Sequence, residues 1–232
     1  MFSGIVQEIG IIDSLVEGNE HLTITVSCSV DFAKDKKVGD SVSVDGVCLT
    51  ITKKTNCSLT FDAVKETLDR TIIKNYAKGS YINIESSLSF GGSVGGHLMS
   101  GHIHLKGIVK EVLIVGNSKD IVIDTSPEWS KYLSEKGYMG INGCSITIGK
   151  IHNSRFQVHL IPETLKTTNL DNLVFLIGFP RSGTTLLDSI LRSHSEITVL
   201  EEKPYLLNLR HDFFKQNDNN LSSLLNITQD IR

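Results

Sequence analysis

Two short stretches place thiol and hydroxyl groups at alternating positions beside a glycine. Gly46-Val47-Cys48-Leu49-Thr50 puts Cys48 and Thr50 on one face of a strand and Leu49 on the other, and Gly143-Cys144-Ser145-Ile146-Thr147 does the same for Ser145 and Thr147, with Ile146 opposite. Two equivalent polar faces flanked by tight turns suit two copies of one ligand. They also suit an ordinary barrel exterior, with Thr as a good strand residue and Cys48 as a small buried apolar group. His97, His102 and His104 surround Met99-Ser100-Gly101 and could move protons near neutral pH. Metal binding is disfavoured, because no carboxylate or thiolate recurs beside them at a regular interval. Cys28, Cys48, Cys57 and Cys144 form no C-x-x-C pair and read as reduced thiols.

The elements that must position these groups occur twice. Ser3-Gly4-x-Val6 returns as Ser100-Gly101-x-Ile103, Asp45-Gly46-x-Cys48-Leu49-Thr50-Ile51 as Asn142-Gly143-x-Ser145-Ile146-Thr147-Ile148, and Glu66-Thr67-Leu68 as Glu163-Thr164-Leu165, all at an offset of 97 residues. A single spacing for three blocks implies a duplicated module. Within each copy about six short segments alternate apolar and polar residues, as in His21–Val26, Ser41–Val44 and Cys48–Thr52. Short strands at this spacing mean a sandwich or a barrel, and Gly39-Asp40, Asp45-Gly46 and Gly79-Ser80 supply the tight corners that a small closed sheet needs. Further strands are expected over Leu105–Val115, Asp120–Asp124 and Phe156–Leu160. A short helix is expected from Ser126, with Pro127 just inside it, and Trp129 and Tyr132 as packing residues.

The formal net charge of −3, from 23 Lys and Arg against 26 Asp and Glu, gives no broad basic footprint for nucleic acid. No apolar run approaches the roughly eighteen residues of a membrane span, and the chain opens into a strand-like pattern without a signal-peptide core. A cytoplasmic protein with a small-molecule partner is the expectation.

The blocks Met1-Phe2-Ser3-Gly4-Ile5-Val6, Gly46-Val47-Cys48-Leu49-Thr50, Lys65-Glu66-Thr67-Leu68, Gly95-Gly96-His97-Leu98-Met99-Ser100-Gly101-His102, Asn142-Gly143-Cys144-Ser145-Ile146-Thr147 and His159-Leu160-Ile161-Pro162-Glu163-Thr164-Leu165 together resemble the riboflavin synthase family, over residues 1 to about 170. The resemblance implies an all-β fold of two tandem six-stranded Greek-key barrels, and a C-terminal helix that holds a homotrimer. It implies a transferase that converts two molecules of 6,7-dimethyl-8-ribityllumazine into riboflavin and 5-amino-6-ribitylaminouracil without a cofactor. In that family the reacting rings stack between the first barrel of one subunit and the second barrel of its neighbour. By resemblance, Gly4, Ile5, Val6, Ser41, Cys48, Leu49, Thr50, Asp62, Ala63, Val64, Lys65, Glu66 and Thr67 line one half-site. Gly101, His102, Ile103, Lys136, Ser145, Ile146, Thr147, His159, Leu160, Ile161, Pro162, Glu163 and Thr164 line the other. Cys48, Ser41 or a bound hydroxide are the candidates for addition to the acceptor ring, and His102 for proton transfer. Phe2 could close over a ring, and backbone groups at Cys48, Thr50, Ser145 and Thr147 would bond the pteridine. The family usually carries Asp where Asn142 stands.

Past Leu170 the likeness ends. The run Leu173–Ile177, then Gly178-Phe179-Pro180-Arg181-Ser182-Gly183-Thr184-Thr185, resembles the 5′-phosphosulfate loop of sulfotransferases, with Arg181, Ser182, Gly183, Thr184 and Thr185 as a possible phosphate cradle. Thr184 stands where a Walker loop has Lys. The expected organisation is therefore a first barrel over 1–92, a second over 93–171 without its usual last strand, and a strand-loop-helix fragment over 172–232. On this reading the trimer helix is missing, and Leu173–Ile177 would fill the vacant strand position. Two other functions are open: a lumazine- or flavin-binding protein without turnover, or a sulfotransferase fragment.

Overall fold

The computed structural model describes residues 1–171. Residues 1–171 belong to one compact unit. The Leu173–Ile177 strand and the Arg181–Thr185 loop expected from sequence lie outside the described residues.

Residues Glu8–Glu17 (β1), His21–Ser27 (β2), Ser41–Val44 (β3), Val47–Lys54 (β4), Ser58–Val64 (β5) and Tyr81–Ser86 (β6) close a barrel in the order β1-β2-β5-β4-β3-β6. Alternation decides which side chains enter it. Leu22, Ile24 and Val26 of β2 point inward, as do Leu59, Phe61 and Ala63 of β5, and all six are buried. Removing a side chain such as Phe61, at 0% exposure, would cost about 3–5 kcal/mol. A short helix, Val30–Lys34 (α1), lies between β2 and β3, its first turn capped by Ser29 Oγ, which accepts the Phe32 N–H at 3.0 Å. Lys65–Arg70 (α2) follows β5 directly.

The second repeat forms Ile108–Val115 (β7), Ser118–Asp124 (β8), Tyr138–Ile141 (β9), Cys144–His152 (β10) and Arg155–Leu160 (β11), then a helix Pro162–Thr167 (α3). Their order is β7-β8-β11-β10-β9, which among the described residues is the first barrel's order without its sixth member. Fine details repeat with the sequence. The register shift at Ile12/Ser14 in β1 returns at Val109/Glu111 in β7, and the left-handed pair Asp45-Gly46 returns as Asn142-Gly143.

Two expectations need correction. The strand expected from Leu105 begins at Ile108. In the first barrel Glu8–Ile11 pair with β6, and the equivalent stretch here has no such neighbour among the described residues, so its first three positions are not strand. The short helix expected from Ser126 is present as a 3-10 helix, Pro127–Tyr132, but the Ser126 side chain makes no cap bond to it. Trp129 packs as expected, edge-on to His104 at 5.6 Å and tilted against Tyr132 at 5.4 Å.

Candidate functional site: two strand faces completed by exchanged arms

Cys48 and Thr50 turn outward from β4 while Leu49 and Ile51 enter the core; Ser145 and Thr147 turn outward from β10 while Ile146 and Ile148 enter theirs. Across the ladder from Thr50 sits Ser41, and across from Thr147 sits Tyr138. The polar faces that the alternation implies are therefore present in both repeats.

What completes each face is the arm of the other repeat. The Cys48 N–H donates to the Gly101 carbonyl at 2.8 Å, and the Ser145 N–H donates to the Gly4 carbonyl at 2.8 Å. Ile103 packs against the first core and Val6 against the second. The grouping expected from sequence is thus exchanged: Gly4, Ile5 and Val6 accompany Ser145 and Thr147, and Gly101, His102 and Ile103 accompany Cys48 and Thr50. The reason is steric as well as polar. Gly4 and Gly101 both have left-handed backbone, and a Cβ on Gly101 would lie 2.7 Å from Cys48 Cβ, while one on Gly4 would lie 2.5 Å from Ser145 Cβ. The exchange also means that the Cys48 and Ser145 N–H groups are occupied by arm carbonyls, so neither serves a ligand; Thr50 and Thr147, two residues on, turn their N–H groups to the same edges.

The two arms cross at a local two-fold axis. Phe2 and Met99, equivalent residues, exchange N–H···O bonds at 2.8 and 2.9 Å. Phe2 is 1% exposed. It therefore cannot act as the closing ring expected from sequence, because its aromatic face is buried at the crossing. Gly46 and Gly143 meet at the same axis, each with a Cβ position under 3 Å from the other's backbone nitrogen.

A buried carboxylate fastens the root of the first arm. Glu85, 2% exposed, accepts the Ser3 N–H at 2.6 Å, the Ser3 hydroxyl at 2.7 Å and the Gly4 N–H at 3.1 Å. Its equivalent, residue 182, lies outside the described residues. His97 supplies a feature that the sequence reading did not place in the site: its Nδ1 lies 2.6 Å from Ser145 Oγ and its ring stacks on Tyr138 at 3.9 Å. The signal was available, since Gly95-Gly96 precedes His97, and a Cβ on Gly96 would lie 2.3 Å from the Ser3 carbonyl.

The remaining site candidates are spread along the β5–α2 and β11–α3 corners. Asp62 accepts the Thr23 hydroxyl at 2.6 Å, and at the equivalent position His159 meets Asp120 at 2.5 Å. Ala63 and Leu160 are core residues and can offer only backbone. Val64 and Ile161 are exposed at 57% each. Lys65 pairs with Glu20 and Glu66 with Arg70 at the surface. The carbonyls of Thr67, Glu163 and Thr164 accept the hydroxyls of Thr71, Thr167 and Thr168. Pro162 opens α3. Lys136 has φ +65° where the first barrel has Gly39 at +95°. A left-handed Lys is a strained choice that a turn tolerates only when its neighbours fix it, and here its N–H donates to Ile148 O at 3.0 Å.

Comparison with known proteins identifies the family and the fold. The lumazine binding domain profile matches residues 3–87 and 100–175. The chain belongs to the riboflavin synthase family. It is 33% identical over 225 residues to riboflavin synthase of Actinobacillus pleuropneumoniae, covering 93% of this chain and 99% of that one. To riboflavin synthase of Escherichia coli (strain K12) it is 37% identical over 171 residues, covering 73% of this chain and 80% of the relative. A sulfotransferase family profile matches residues 173–231. Among solved structures, LumP complexed with 6,7-dimethyl-8-(1′-D-ribityl) lumazine superposes with a TM-score of 0.68 at 22% identity, and LumP complexed with riboflavin with 0.70 at 23%. These structures cover 75% of this chain and share its fold.

Proposed function

We propose that this chain is a riboflavin synthase, which transfers a four-carbon unit between two molecules of 6,7-dimethyl-8-ribityllumazine to give riboflavin and 5-amino-6-ribitylaminouracil. The observation that carries the reading is the pair of equivalent faces, Cys48/Thr50 with the Gly101–Ile103 arm and Ser145/Thr147 with the Gly4–Val6 arm. A dismutation needs two sites for one ligand, and holding the two rings in register can supply many powers of ten in rate. The sites must also differ, because one ligand gives and the other receives. Here Cys48 and Ser41 stand opposite in kind to Ser145 and Tyr138. On the first face, Cys48 or the Ser41 hydroxyl adds to the acceptor ring and His102, exposed on its arm, moves the proton. On the second, His97 holds the Ser145 hydroxyl against the donor. Aligned Thr50 and Thr147 edges read the polar rim of each ring.

The assembly expected for this reaction is a homotrimer. The test is to incubate the purified full chain with 6,7-dimethyl-8-ribityllumazine, follow riboflavin by its absorbance and fluorescence, and measure the mass of the assembly in the same sample. Riboflavin formation establishes the synthase; tight lumazine binding without product instead establishes a binding protein. That second reading draws on the second sheet, which has five strands among the described residues.

A further inference from the structure

One corner of the barrel is copied in backbone but not in chemistry. At the end of the β2–β5 ladder, one step past the Ser27–Ser58 pair, Cys28 faces Cys57, and the Cys28 N–H donates to the Cys57 carbonyl at 2.9 Å. In the second repeat the residues 97 positions on are Thr125 and Ser154, and the Thr125 N–H donates to the Ser154 carbonyl at 3.0 Å. The two side chains change together, thiol facing thiol in one repeat and hydroxyl facing hydroxyl in the other. Since the corner forms without sulfur, its packing does not account for two thiols.

Two facing thiols can become a disulfide. Residues joined in this way across an antiparallel ladder have Cα atoms about 5.5 Å apart, inside the roughly 4.4–6.8 Å that a disulfide spans. Alternation puts both side chains on one face: Cys28 follows Val26 by two residues, Cys57 precedes Leu59 by two, and Val26 and Leu59 are both buried in the barrel. The backbone around each thiol is fixed. The Ser29 N–H and hydroxyl both donate to the Glu8 carboxylate at 2.5 Å, and Cys57 stands in a turn closed by Thr55, whose N–H donates to the Ser58 carbonyl at 2.9 Å and whose Oγ1 lies 2.7 Å from Ser58 Oγ. An oxidant can reach the pair, because Cys57 is exposed and Cys28 is partly so.

We propose that Cys28 and Cys57 are a redox site, oxidised by a small-molecule disulfide of the glutathione type to an intramolecular bond that braces the first barrel. The bond closes residues 28–57 into a loop that contains α1, β3 and β4, and with them Ser41, Cys48 and Thr50. The exchange takes two steps. The Cys57 thiolate attacks one sulfur of glutathione disulfide, forming a mixed disulfide and expelling one glutathione thiolate. Cys28 then gives its proton to solvent and attacks the Cys57 sulfur, expelling the second. Two electrons pass from the pair to the oxidant, leaving one protein disulfide and two molecules of reduced glutathione. Environment sets the order of attack. Burial, then the charges of Glu8 and Cys57, push Cys28 up to about 11 against the pull of Lys36 and Lys54. At pH 8 about one such thiol in a thousand is thiolate, so the exposed Cys57 attacks and Cys28 resolves.

Trypsin separates the cysteines that matter: Cys28, Cys48 and Cys57 fall in the peptides 1–34, 38–53 and 55–65. The experiment incubates the reduced full-length chain with glutathione disulfide, blocks remaining thiols with N-ethylmaleimide, and maps the peptides by mass spectrometry without reduction, for wild type and Cys28→Ser. The expected result in wild type is a linked 1–34/55–65 pair that dithiothreitol reverses, and in Cys28→Ser a glutathione adduct retained on Cys57. Urea titration of the oxidised wild type should show an unfolding constant lowered on the order of 100-fold against the reduced chain, the effect of closing a loop of this length. Glutathione retained on Cys57 in wild type without the linked peptide overturns the proposal, as does an unmodified Cys57, a Cys48–Cys57 link in equal amount, or a chain-to-chain dimer through Cys57. A linked chain that unfolds at the same urea concentration as the reduced one overturns the brace. None of these readouts uses riboflavin formation, so failure of the synthase reading leaves the redox site standing.

Discussion

His97 Nδ1 lies 2.6 Å from Ser145 Oγ, and the imidazole is held in that pose by stacking on Tyr138 at 3.9 Å. A His held to a hydroxyl by geometry and packing is poised to polarise it or to take its proton. His97→Gln keeps much of the size and one polar contact but cannot shuttle a proton. Turnover in that variant should fall by about 10² or more, the usual range for a lost acid–base group, with lumazine affinity little changed. Cys48→Ser and His102→Gln should show the same split on the first face. Steady-state kinetics beside fluorescence titration decides; unchanged turnover in all three would remove these roles.

The exchanged arms predict lesions that cross from one barrel to the other. Glu85 is a β6 residue of the first barrel, yet it fastens Ser3 and Gly4, whose carbonyl side serves Ser145 in the second. Glu85→Ala strands three buried donors at about 1–3 kcal/mol each if they stay dry. The damage should appear at the Ser145 half-site and spare the Cys48 half-site, whose arm comes from Gly101. Gly101→Ala should do the reverse, because its Cβ would collide with Cys48 and Phe2. Titration with a fluorescent lumazine, resolving two sites per chain in wild type, checks whether each variant loses the site in the opposite barrel.

Much of this was legible in the sequence, because the constant offset and the alternation at Cys48-Leu49-Thr50 and Ser145-Ile146-Thr147 are local properties. They fix which side chains enter a core and which do not. The arm exchange was not legible. Ser3-Gly4 and Ser100-Gly101 are identical as local patterns, and nothing within either says which barrel it will join; that follows from the pairing of Phe2 with Met99, a contact between residues far apart in the chain. The burial of Phe2 follows from the same crossing. The late start of β7 was hidden for a related reason: Leu105-Lys106-Gly107 has strand character, but a strand needs a neighbour as well as a pattern. His97 was visible as one of three histidines, and only the fold singles it out by bringing Ser145 and Tyr138 to it.

Stability near the junction should depend on pH with an unusual sign. Burial pushes the Asp45 carboxyl up to about 6, against the hydrogen bonds from Asn83, Tyr76 and Asn169, which favour its ionised form. Tyr76, which donates to it, is pushed well above its usual range by burial and by the Asp45 charge, and the charges of Asp45 and Glu85 add to the burial that raises Cys144. The folded chain therefore holds a proton on Asp45 more tightly than the unfolded chain, whose carboxyl titrates near 3.8. The stability this contributes is fully present below about pH 4 and is lost as pH rises through about 6, a swing of about 2–3 kcal/mol. Asp45→Asn removes the titration, so the stability difference between Asp45→Asn and wild type should grow in favour of the variant from pH 4 to pH 7. Urea unfolding at several pH values measures it, and a difference that stays flat across that window would show that Asp45 keeps an ordinary carboxyl.

The four thiols should separate by reactivity, and the separation bears on Cys48. Burial pushes Cys28 up to about 11, with the charges of Glu8 and Cys57 adding to it, and burial pushes Cys144 up to about 12 against the hydrogen bond from Thr168. At pH 8 a thiol titrating near 12 is thiolate in only about one molecule in ten thousand, and alkylation proceeds through the thiolate. Cys57 is exposed and Cys48 is partly exposed on its polar face. Iodoacetamide at pH 8 should therefore label Cys57 and Cys48 and leave Cys28 and Cys144 untouched in the folded chain. Saturating lumazine should then protect Cys48 and leave Cys57 reactive, because only Cys48 shares a face with Thr50 and the Gly101 arm. Peptide mapping by mass spectrometry reads all four positions at once. Cys48 labelled at the same rate with and without lumazine would place the ligand elsewhere and remove Cys48 from the site.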